Sequence, residues 1–562
     1  MAATMQQRTF LDPERLHESG PHAFMRSIER LLLHLEFDDI RNIDGPGEEG
    51  GDILAHRRGA RWVFQCKWTR GRTIGEDAVI QVDGAKAFYG ADRAVVATNG
   101  RPGRNARARR DRLRAAWSRI DFWDGPVLAE FADGVPEYPT VRFEPRPYQR
   151  DAIEAAEAAL ADSGRASVIL ATGLGKTVVA GELIHDHLRA TARASVLVVA
   201  HTKEIVRQLE RATWRHLPKT VPTGILTGDD KPPNLDGVIC ATVDSALAAV
   251  EAGWRPTLIV VDEAHHVGES GMYQRLVAAT DGVPRLGVTA TPWRGDKYDI
   301  SEAFGEPVFK MGIAEGMAAG YLSQVDYRLF LDRIDWQTVR EASEYGLTIG
   351  DLNHRLFLPQ RDEAAIAALQ EVWARTRAPR AIIFCRTIAH AEEFAQLLRE
   401  AGWRRSECVN SRQSRRERNI LMSEFRDGRV PIVTTVDLLN EGVDVPDVNI
   451  ICFLRVTHSR RIFVQQLGRG LRLREGKARV VALDFVSDIR RIKATLDLKR
   501  ALERVPEEEI ERLHLEGTSI TFSNPQVGTF LEEWLKDAAS LEDADEEVRL
   551  QFPDVPAWAS VE

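Results

Sequence analysis

The seven residues Ala171 to Thr177 (ATGLGKT) hold two glycines, a lysine and a threonine at a spacing that suits a polyphosphate. Gly173 and Gly175 let backbone N–H groups approach phosphate oxygens, and a helix opening behind them adds positive potential. Thr172 stands in the same turn. Lys176 would reach the β- and γ-phosphates and Thr177 would ligate Mg²⁺, so the run points to ATP. The general pattern begins with a glycine where this chain has Leu170. A second acidic run, Asp262-Glu263-Ala264-His265, ends the apolar TLIVV. Asp262 would hold the Mg²⁺, and Glu263 would orient or deprotonate the attacking water. Read singly, each run is a glycine-rich turn or a charged strand end. Both together, in register with apolar strands, leave little room for that reading. Arg469 and Arg472, three apart in QQLGRGLR, can share one helix face. Arginines so placed stabilise the charge developing on a transferred phosphoryl group. Standing alone, the run reads as a solvated basic face.

A different chemistry is written at GGDILAHRRGARWVFQCKW (50–68). The segment reads as a β-hairpin turning at Arg58-Gly59, so residues whose numbers sum to 117 face each other. Asp52 and Gln65 do. Side chains alternate along a strand, which puts Gln65 and Lys67 on one face and Trp62, Phe64, Cys66 and Trp68 on the other. Asp52, Gln65 and Lys67 then form one polar cluster. That cluster suits phosphodiester hydrolysis: Asp52 and the Cys66 carbonyl would bind Mg²⁺, and Lys67 would position or activate water. The bland alternative is an ordinary hairpin whose Lys67 reaches solvent and whose Asp52 is a turn residue. An intermediate reading keeps the fold without catalysis, as a DNA-binding module.

Two resemblances extend these readings. Residues 146–472, more than half the chain, resemble a superfamily 2 helicase of the DExH type. The match runs through RPYQRDAI (146–153), ATGLGKT, AHTKEIVRQ (200–208), ATVDS (241–245), DEAH, TATPWR (289–294), IIFCRT (382–387), TTVDLLNEGVDVP (434–446) and QQLGRGLR. The likeness is to restriction-enzyme motor subunits and RadD-like repair helicases, without the latter's Cys-rich zinc segment. It implies that Gln149 reads adenine and that Gly442 and Asp444 help close the ATP site. It also implies that His201, Thr202, Arg386 and Thr387 lie near the nucleic-acid backbone. Residues 15–125 resemble the PD-(D/E)xK nuclease fold in its Mrr-like variant, where Gln replaces the usual acid before x-Lys, as in FQCKW. In that family an acid often follows the helical Phe. Here Phe24 is followed by Met25, and Glu29, one turn later, is the substitute metal ligand.

The elements that must carry these residues follow from periodicity. Residues 20–37 show helical spacing, 52–57 and 61–68 are strand-like, 77–89 is helix-like and AVVAT (94–98) is a strand. The Pro-rich GVPEYPTVRFEPRP reads as a linker. Beyond it, apolar strands at 167–172, 195–202, 237–242, 257–265 and 285–291 alternate with helical stretches. The pattern returns at 380–387, 406–410, 430–435, 448–454 and 479–485. Such strands indicate parallel sheets covered on both faces. The expected fold is therefore α/β: a restriction-endonuclease-like domain (1–138), two RecA-like parallel-sheet lobes (139–318 and 319–498) and an acidic tail (499–562), with a short helix around Phe530, Trp534 and Leu535.

At 562 residues the chain exceeds a single core. Its 44% hydrophobic and 28% charged content is that of a soluble globular protein. No run reaches membrane-span length and no signal peptide is evident, so the cytoplasm is the expected compartment. Five scattered cysteines without a CxxC pair argue against disulfides and structural zinc. The net charge of −9 is uneven: residues 505–562 carry 15 acidic against three basic residues, which leaves the remainder at +3. Residues 101–114 hold seven arginines and one aspartate, a run that would contact DNA phosphates. The run at 404–418 reads equally well as a solvated face.

The expected function is an ATP- and Mg²⁺-dependent DNA translocase or helicase fused to an endonuclease, cutting foreign or modified DNA. Two alternatives stand beside it. One is a repair or remodelling helicase whose N-terminal domain only binds DNA. The other is an ATP-switched nucleic-acid sensor whose acidic tail docks a protein partner. Oligomeric state, strand polarity and sequence preference are not legible.

Overall fold

The structure, a computed structural model, describes residues 9–44, 50–71, 73–116, 118–140, 144–268, 271–290, 300–330, 347–348, 362–436, 448–454 and 479–485, with short pieces at 492–493, 495–496, 499–500, 519–522, 529 and 549–550. Two compact units emerge. One comprises Met1–Val168, Thr177–Val288 and Ile300–Phe309, the other Ile169–Lys176, Thr289–Asp299 and Lys310–Glu562.

The first unit opens with α1 (Pro13–Glu18) and α2 (Gly20–His34). Helix α2 has proline in its first turn, where a missing N–H costs nothing. It ends where Glu36 turns left-handed (φ 61°) and Phe37 N–H donates to the Leu32 carbonyl at 3.0 Å. Strands β1 (Asp38–Asn42), β2 (Ile53–Arg57) and β3 (Ala60–Lys67) form an antiparallel meander. A two-residue strand β4 (Thr73–Ile74), helix α3 (Asp77–Phe88), β5 (Arg93–Thr98), β6 (Arg101–Pro102), α4 (Arg104–Ala115), β7 (Ile120–Trp123) and α5 (Gly125–Gly134) follow. The sheet order is β1-β2-β3-β5-β7, with β3, β5 and β7 parallel. Its two faces bury separate cores. Phe24, Ile28 and Leu32 of α2 pack with Ile53, Phe64 and Trp123 on one face. Val79 and Val82 of α3 pack with Leu54, Val63 and Val96 on the other. Each fully buried apolar side chain contributes roughly 1.5–3 kcal/mol.

Helix α6 (Pro147–Ser163) leads into a seven-stranded sheet. Its strands are β8 (Arg165–Leu170), β9 (Ser195–Ala200), β10 (Thr223–Leu226), β11 (Gly237–Thr242), β12 (Leu258–Asp262), β13 (Arg285–Thr289) and β14 (Pro307–Met311), in the order β10-β11-β9-β12-β13-β8-β14. The connections include α7 (Lys176–Ala190), α8 (Lys203–Thr213) and α9 (Val243–Glu251). Strands β9 to β13 pair in parallel, and nearly every residue of β9, β11, β12 and β13 is buried. The near-continuous apolar runs are what a sheet covered on both faces demands.

The second unit holds β15 (Gln324–Leu329), β16 (Leu347–Thr348), β17 (Ala381–Phe384), β18 (Ser406–Val409), β19 (Ile432–Thr435), β20 (Ile450–Phe453), β21 (Arg479–Asp484), β22 (Ser519–Phe522) and β23 (Arg549–Leu550). Its main sheet runs β18-β19-β17-β20-β21-β15-β22, with neighbouring strands parallel throughout. Two strands here come from the segment read as an acidic tail. β22 pairs with β15 in register Asp326↔Ser519, and β23 pairs with β16. The helix expected around 530–535 lies outside the described residues. No helix among the described residues is long and apolar enough to cross a membrane.

Candidate functional site

Arg58 and Gly59 both take positive φ, 51° and 77°. That is the primed-turn backbone a two-residue hairpin needs, and only glycine adopts it without cost. The turn fixes the register Ile53↔Phe64 and Leu54↔Val63. Asp52 N–H then donates to the Phe64 carbonyl at 2.8 Å. Gln65 Nε2 donates to Asp52 Oδ2 at 2.8 Å, and the Cys66 N–H donates to the same oxygen. Asp52 is 6% exposed and Gln65 1%. Trp62, Phe64, Cys66 and Trp68 face the α2 core, while Val63 faces the α3 core, so Gln65 and Lys67 project to the α3 side. Lys67 closes β3 half-buried.

Glu29 approaches from α2. Its carboxylate accepts from Asn42 Nδ2 at 3.2 Å, and the following residue, Ile43, donates its N–H to the Asp52 carbonyl at 2.8 Å. Asn42 thus ties Glu29 to the backbone of Asp52. The Cys66 thiol reports the charge here: burial, then the carboxylates of Asp52, Glu29 and Asp44, push it well up, and Lys67 pulls it down. Gln65 Oε1, beside Asp52, and Asn42 Oδ1, beside Glu29, are each buried without a donor. An unsatisfied buried acceptor costs about 1–3 kcal/mol. The Asp52 carboxylate and the neighbouring Gln65 Oε1 are hard oxygen donors of the kind Mg²⁺ takes.

Both oxygens of Glu29 are already engaged. Arg211 of α8 donates through Nε to Oε2 at 3.0 Å and through Nη2 to Oε1. Sequence reasoning placed Asp52, Gln65, Cys66, Lys67 and Glu29 in this neighbourhood and missed Asn42, Asp44 and Arg211. Asn42 lies on an edge strand, DDIRN, whose polar run carries no strand signal. Arg211 is 182 positions from Glu29, which no local pattern can connect.

The phosphate-loop candidates lie at the start of the second unit's residues. Gly173 and Gly175 have φ of 94° and 82°, and Lys176 opens α7. The loop is held by Ala171 N–H donating to the Met311 carbonyl at 3.0 Å and Leu174 N–H to the Ala171 carbonyl at 3.1 Å. Thr172 Oγ1 is buried without a partner, an orphan polar atom that suits a phosphate oxygen. Thr177 follows Lys176 into the helix. Gln149 sits in the first turn of α6, where its Oε1 accepts from Arg146 N–H at 2.9 Å and its own N–H donates to the Arg146 carbonyl at 2.9 Å.

In the first unit, Asp262 ends β12 and Glu263 takes a left-handed backbone, φ 49° and ψ 53°. For a non-glycine residue that conformation costs on the order of 1–3 kcal/mol and clusters at functional sites. His265, fully buried, brings Nδ1 to 3.3 Å from Glu263 Oε2. Burial, followed by the carboxylates of Asp262 and Asp244, pushes the Tyr273 phenol up. The His266 ring lies 4.0 Å from His201 and 4.5 Å from His265. His201 precedes Thr202, which caps α8 by accepting from Ile205 N–H at 3.3 Å. In the second unit, Arg386 and Thr387 are exposed behind β17, and Thr387 caps the helix Ile388–Glu400. Gly442, Asp444, Arg469 and Arg472 lie outside the described residues.

Three family descriptions match this chain. Residues 16–132 match a restriction endonuclease catalytic domain of the Mrr type, 142–294 the type III restriction enzyme res subunit, and 364–474 the helicase conserved C-terminal domain. The chain combines an Mrr-like restriction endonuclease domain with the two domains of a superfamily 2 helicase. It is 29% identical over 317 residues to a 51.5 kDa protein of a Lactococcus phage, covering 55% of this chain and 63% of the phage protein. It is 22% identical over 419 residues to the type I restriction enzyme EcoAI endonuclease subunit of Escherichia coli, covering 66% of this chain and 50% of the subunit. The solved ATP-dependent type ISP restriction-modification enzyme LlaBIII bound to DNA shares the fold (TM-score 0.51, 18% identity, 88% of this chain and 39% of that one). The chain thus spans between half and two thirds of the length of the phage protein and the EcoAI subunit.

Proposed function

We propose that this superfamily 2 helicase is an ATP-driven DNA translocase that delivers DNA to its own Mg²⁺-dependent endonuclease, in restriction or anti-phage defence. The observation that carries the reading is the hairpin cluster: Asp52 bonded to Gln65 and Cys66, beside an orphan buried oxygen, in the same chain as a phosphate loop and a DEAH run. In the motor, Gly173, Gly175 and Thr172 cradle phosphates and Lys176 neutralises their charge. Thr177 and Asp262 hold the Mg²⁺, and Glu263 orients water. Gln149, Gly442 and Asp444 complete nucleotide binding, and Arg469 and Arg472 meet the transferred phosphoryl group. In the cutter, Asp52, the Cys66 carbonyl and Glu29 hold the ion, Gln65 steers Asp52, and Lys67 positions water. The bound ion would polarise the phosphodiester and lower the barrier to attack. The arginines of α4, most of them exposed, supply phosphate contacts. The domain limits 1–138, 139–318, 319–498 and 499–562, a cytoplasmic location and a partner docked through the acidic C-terminal segment belong to the same reading.

The test separates the two engines. Lys176→Ala is expected to abolish DNA-stimulated ATP hydrolysis, and Asp52→Ala to abolish cleavage while ATP hydrolysis continues. Parental cleavage by Asp52→Ala rejects the nuclease. One observation favours a second reading, an N-terminal domain that only binds DNA: Glu29 is held by Arg211 on both oxygens. Absence of cleavage by the parent with Mg²⁺ or Mn²⁺, alongside normal translocation, would select it.

A further inference from the structure

Glu263 holds a left-handed backbone, φ 49° and ψ 53°, which a non-glycine residue keeps only where its surroundings over-determine it. They do so from within the turn and from the strands on either side of β12, which are β13 and β9. Within the turn, His266 N–H donates to the Glu263 carbonyl at 2.9 Å and Val267 N–H to the Ala264 carbonyl at 3.0 Å. On the β13 side, Ala264 is fully buried against Gly287, where an added Cβ would stand 3.0 Å from the Ala264 Cβ and 2.8 Å from the Phe304 ring. On the β9 side the contact is a histidine. Strands β9 and β12 are parallel with Val199 opposite Val261, so His201 and Glu263 each stand two residues beyond that pair, where both strands have ended. The short 3₁₀ turn Ala264–His266 then brings His266 onto His201, with ring centroids 4.0 Å apart and planes tilted by 40°. His265 is next in the row. Its ring centroid lies 4.5 Å from that of His266, and its Nδ1 lies 3.3 Å from Glu263 Oε2. A continuous file of imidazoles thus leads from the end of β9 to the carboxylate.

We infer that His201 is a positioning residue for ATP hydrolysis, acting through the rings of His266 and His265 to hold Glu263 towards the attacking water. The inference rests on the reading of Glu263 as the residue that orients that water. A group with that task must be held within roughly 0.5 Å of its productive place by side chains that are themselves locked by packing. An imidazole has only two side-chain torsions, so a ring packed against a ring has few ways to yield. A flexible chain at 201 would fill the same space without fixing His266. His201 reaches the reaction only through its neighbours, which separates it from Glu263 itself. The helicase resemblance gives His201 a different task, near the nucleic-acid backbone, and the two tasks make opposite demands on the side chain. Holding His266 requires a planar ring, whatever its polarity. Contacting a phosphate requires a polar N–H, with or without a ring.

ATP hydrolysis by the full chain at saturating Mg²⁺, measured without DNA and across a DNA titration, separates the two. His201→Phe keeps a ring and removes the N–H, whereas His201→Gln keeps a polar N–H and removes the ring. Without DNA, kcat of His201→Gln is expected to fall up to about 100-fold, the scale of a misplacement remote from the reacting atoms. KM for ATP should stay at the parental value, and His201→Phe should turn over close to the parent. His266→Gln should lose a similar factor. The double variant His201→Gln/His266→Gln should be no slower than the slower single one, because both act through one contact. If His201→Gln does not fold, His201→Leu, apolar and without a ring, takes its place. Parental turnover without DNA in the ringless variant overturns the inference. So do an equal loss in His201→Phe, losses that multiply in the double variant, or a change confined to the DNA concentration for half-maximal stimulation. Glu263→Gln is assayed in parallel. Parental hydrolysis by Glu263→Gln rejects the reading of Glu263, whereas an inactive Glu263→Gln beside fully active His201 variants rejects the role of His201 alone.

Discussion

On the proposed reading Gln65 takes the position of an acid in the Mrr-like motif, and its environment shows what an amide does there. Its Nε2 donates to Asp52 Oδ2 at 2.8 Å, which two carboxylates could not do without a proton or a cation between them. Its Oε1 faces no donor. The amide therefore stabilises Asp52 and, on the proposed reading, would offer its carbonyl oxygen to a bound ion. Gln65→Glu tests this balance. Without metal, two buried carboxylates at hydrogen-bond distance repel, and the melting temperature in EDTA should fall relative to the parent. With saturating Mg²⁺ the added charge becomes a ligand, so the rise in melting temperature on adding Mg²⁺ should exceed that of the parent. An equal rise in both proteins would mean that Gln65 is not beside the ion. Glu263 poses the matching question in the motor. Its left-handed backbone holds the carboxylate in a fixed direction beside His265. Glu263→Gln should retain ATP binding and lose hydrolysis by at least the ~100-fold typical of a missing general base, measured by nucleotide affinity and turnover in parallel.

The β2–β3 hairpin is the element that turns a sequence pattern into a site. Its alternation from Trp62 to Trp68 and its Arg-Gly turn are local signals, so the facing of Asp52 and Gln65 is legible in the residue order alone. Gly59→Ala is expected to destabilise the fold by about 1 kcal/mol, because φ of 77° is left-handed and a Cβ resists it. The register is also fixed by the buried faces, so Mn²⁺ affinity should be retained; chemical denaturation and metal titration separate the two effects. The apolar strands of both parallel sheets are legible for the same reason, as compact runs such as LIVVD and AIIF buried along their length. The elements that escape a sequence reading are those whose residues are polar or mixed. β1 is Asp-Asp-Ile-Arg-Asn on a sheet edge, where one side needs no apolar partner. β22, Ser-Ile-Thr-Phe, stands in an acidic surrounding that reads as a solvated tail, yet it pairs with β15. α4 is legible as a basic run but its helical length is not, since its one buried residue, Ala106, leaves no apolar stripe.

At the scale of the molecule, the N-terminal domain and the first parallel sheet fold into one unit, and the residues between them are unusually polar for a buried seam. Arg30, 1% exposed, donates to the carbonyls of Val221 and Pro218 at 2.8 Å each and lies 4.4 Å from the Phe10 ring. Burial lowers its pKa to about 9 against the pull of Glu210. Lys219 donates to the Ala132 and Val135 carbonyls at 2.9 Å and so caps the end of α5, where a cation favours the helix dipole. His34 sits between these cations. Burial, then Arg30, with a smaller push from Lys219, lowers its pKa from 6.5 to about 4, opposed only by its hydrogen bond to the Pro136 carbonyl. The ring is therefore neutral in the folded chain at pH 7, with Nδ1 donating to Pro136 at 3.1 Å and Nε2 buried without a partner. The sign of the pH effect follows. Above pH 6.5 the ring is neutral folded or unfolded and nothing is lost. As pH falls from 6.5 towards 4 the unfolded chain takes up the proton first, so stability declines and then levels off below 4. The full difference corresponds to roughly 3 kcal/mol. Hydrogen exchange at the α2 amides, corrected for intrinsic rates, should show opening becoming easier across that window. In His34→Gln, whose amide can still donate to Pro136, that part of the pH dependence should disappear. An unaltered slope in the glutamine variant would assign the acid sensitivity of the seam to its carboxylates, with Glu210 and Asp230 opposite Arg26 as the next groups to replace.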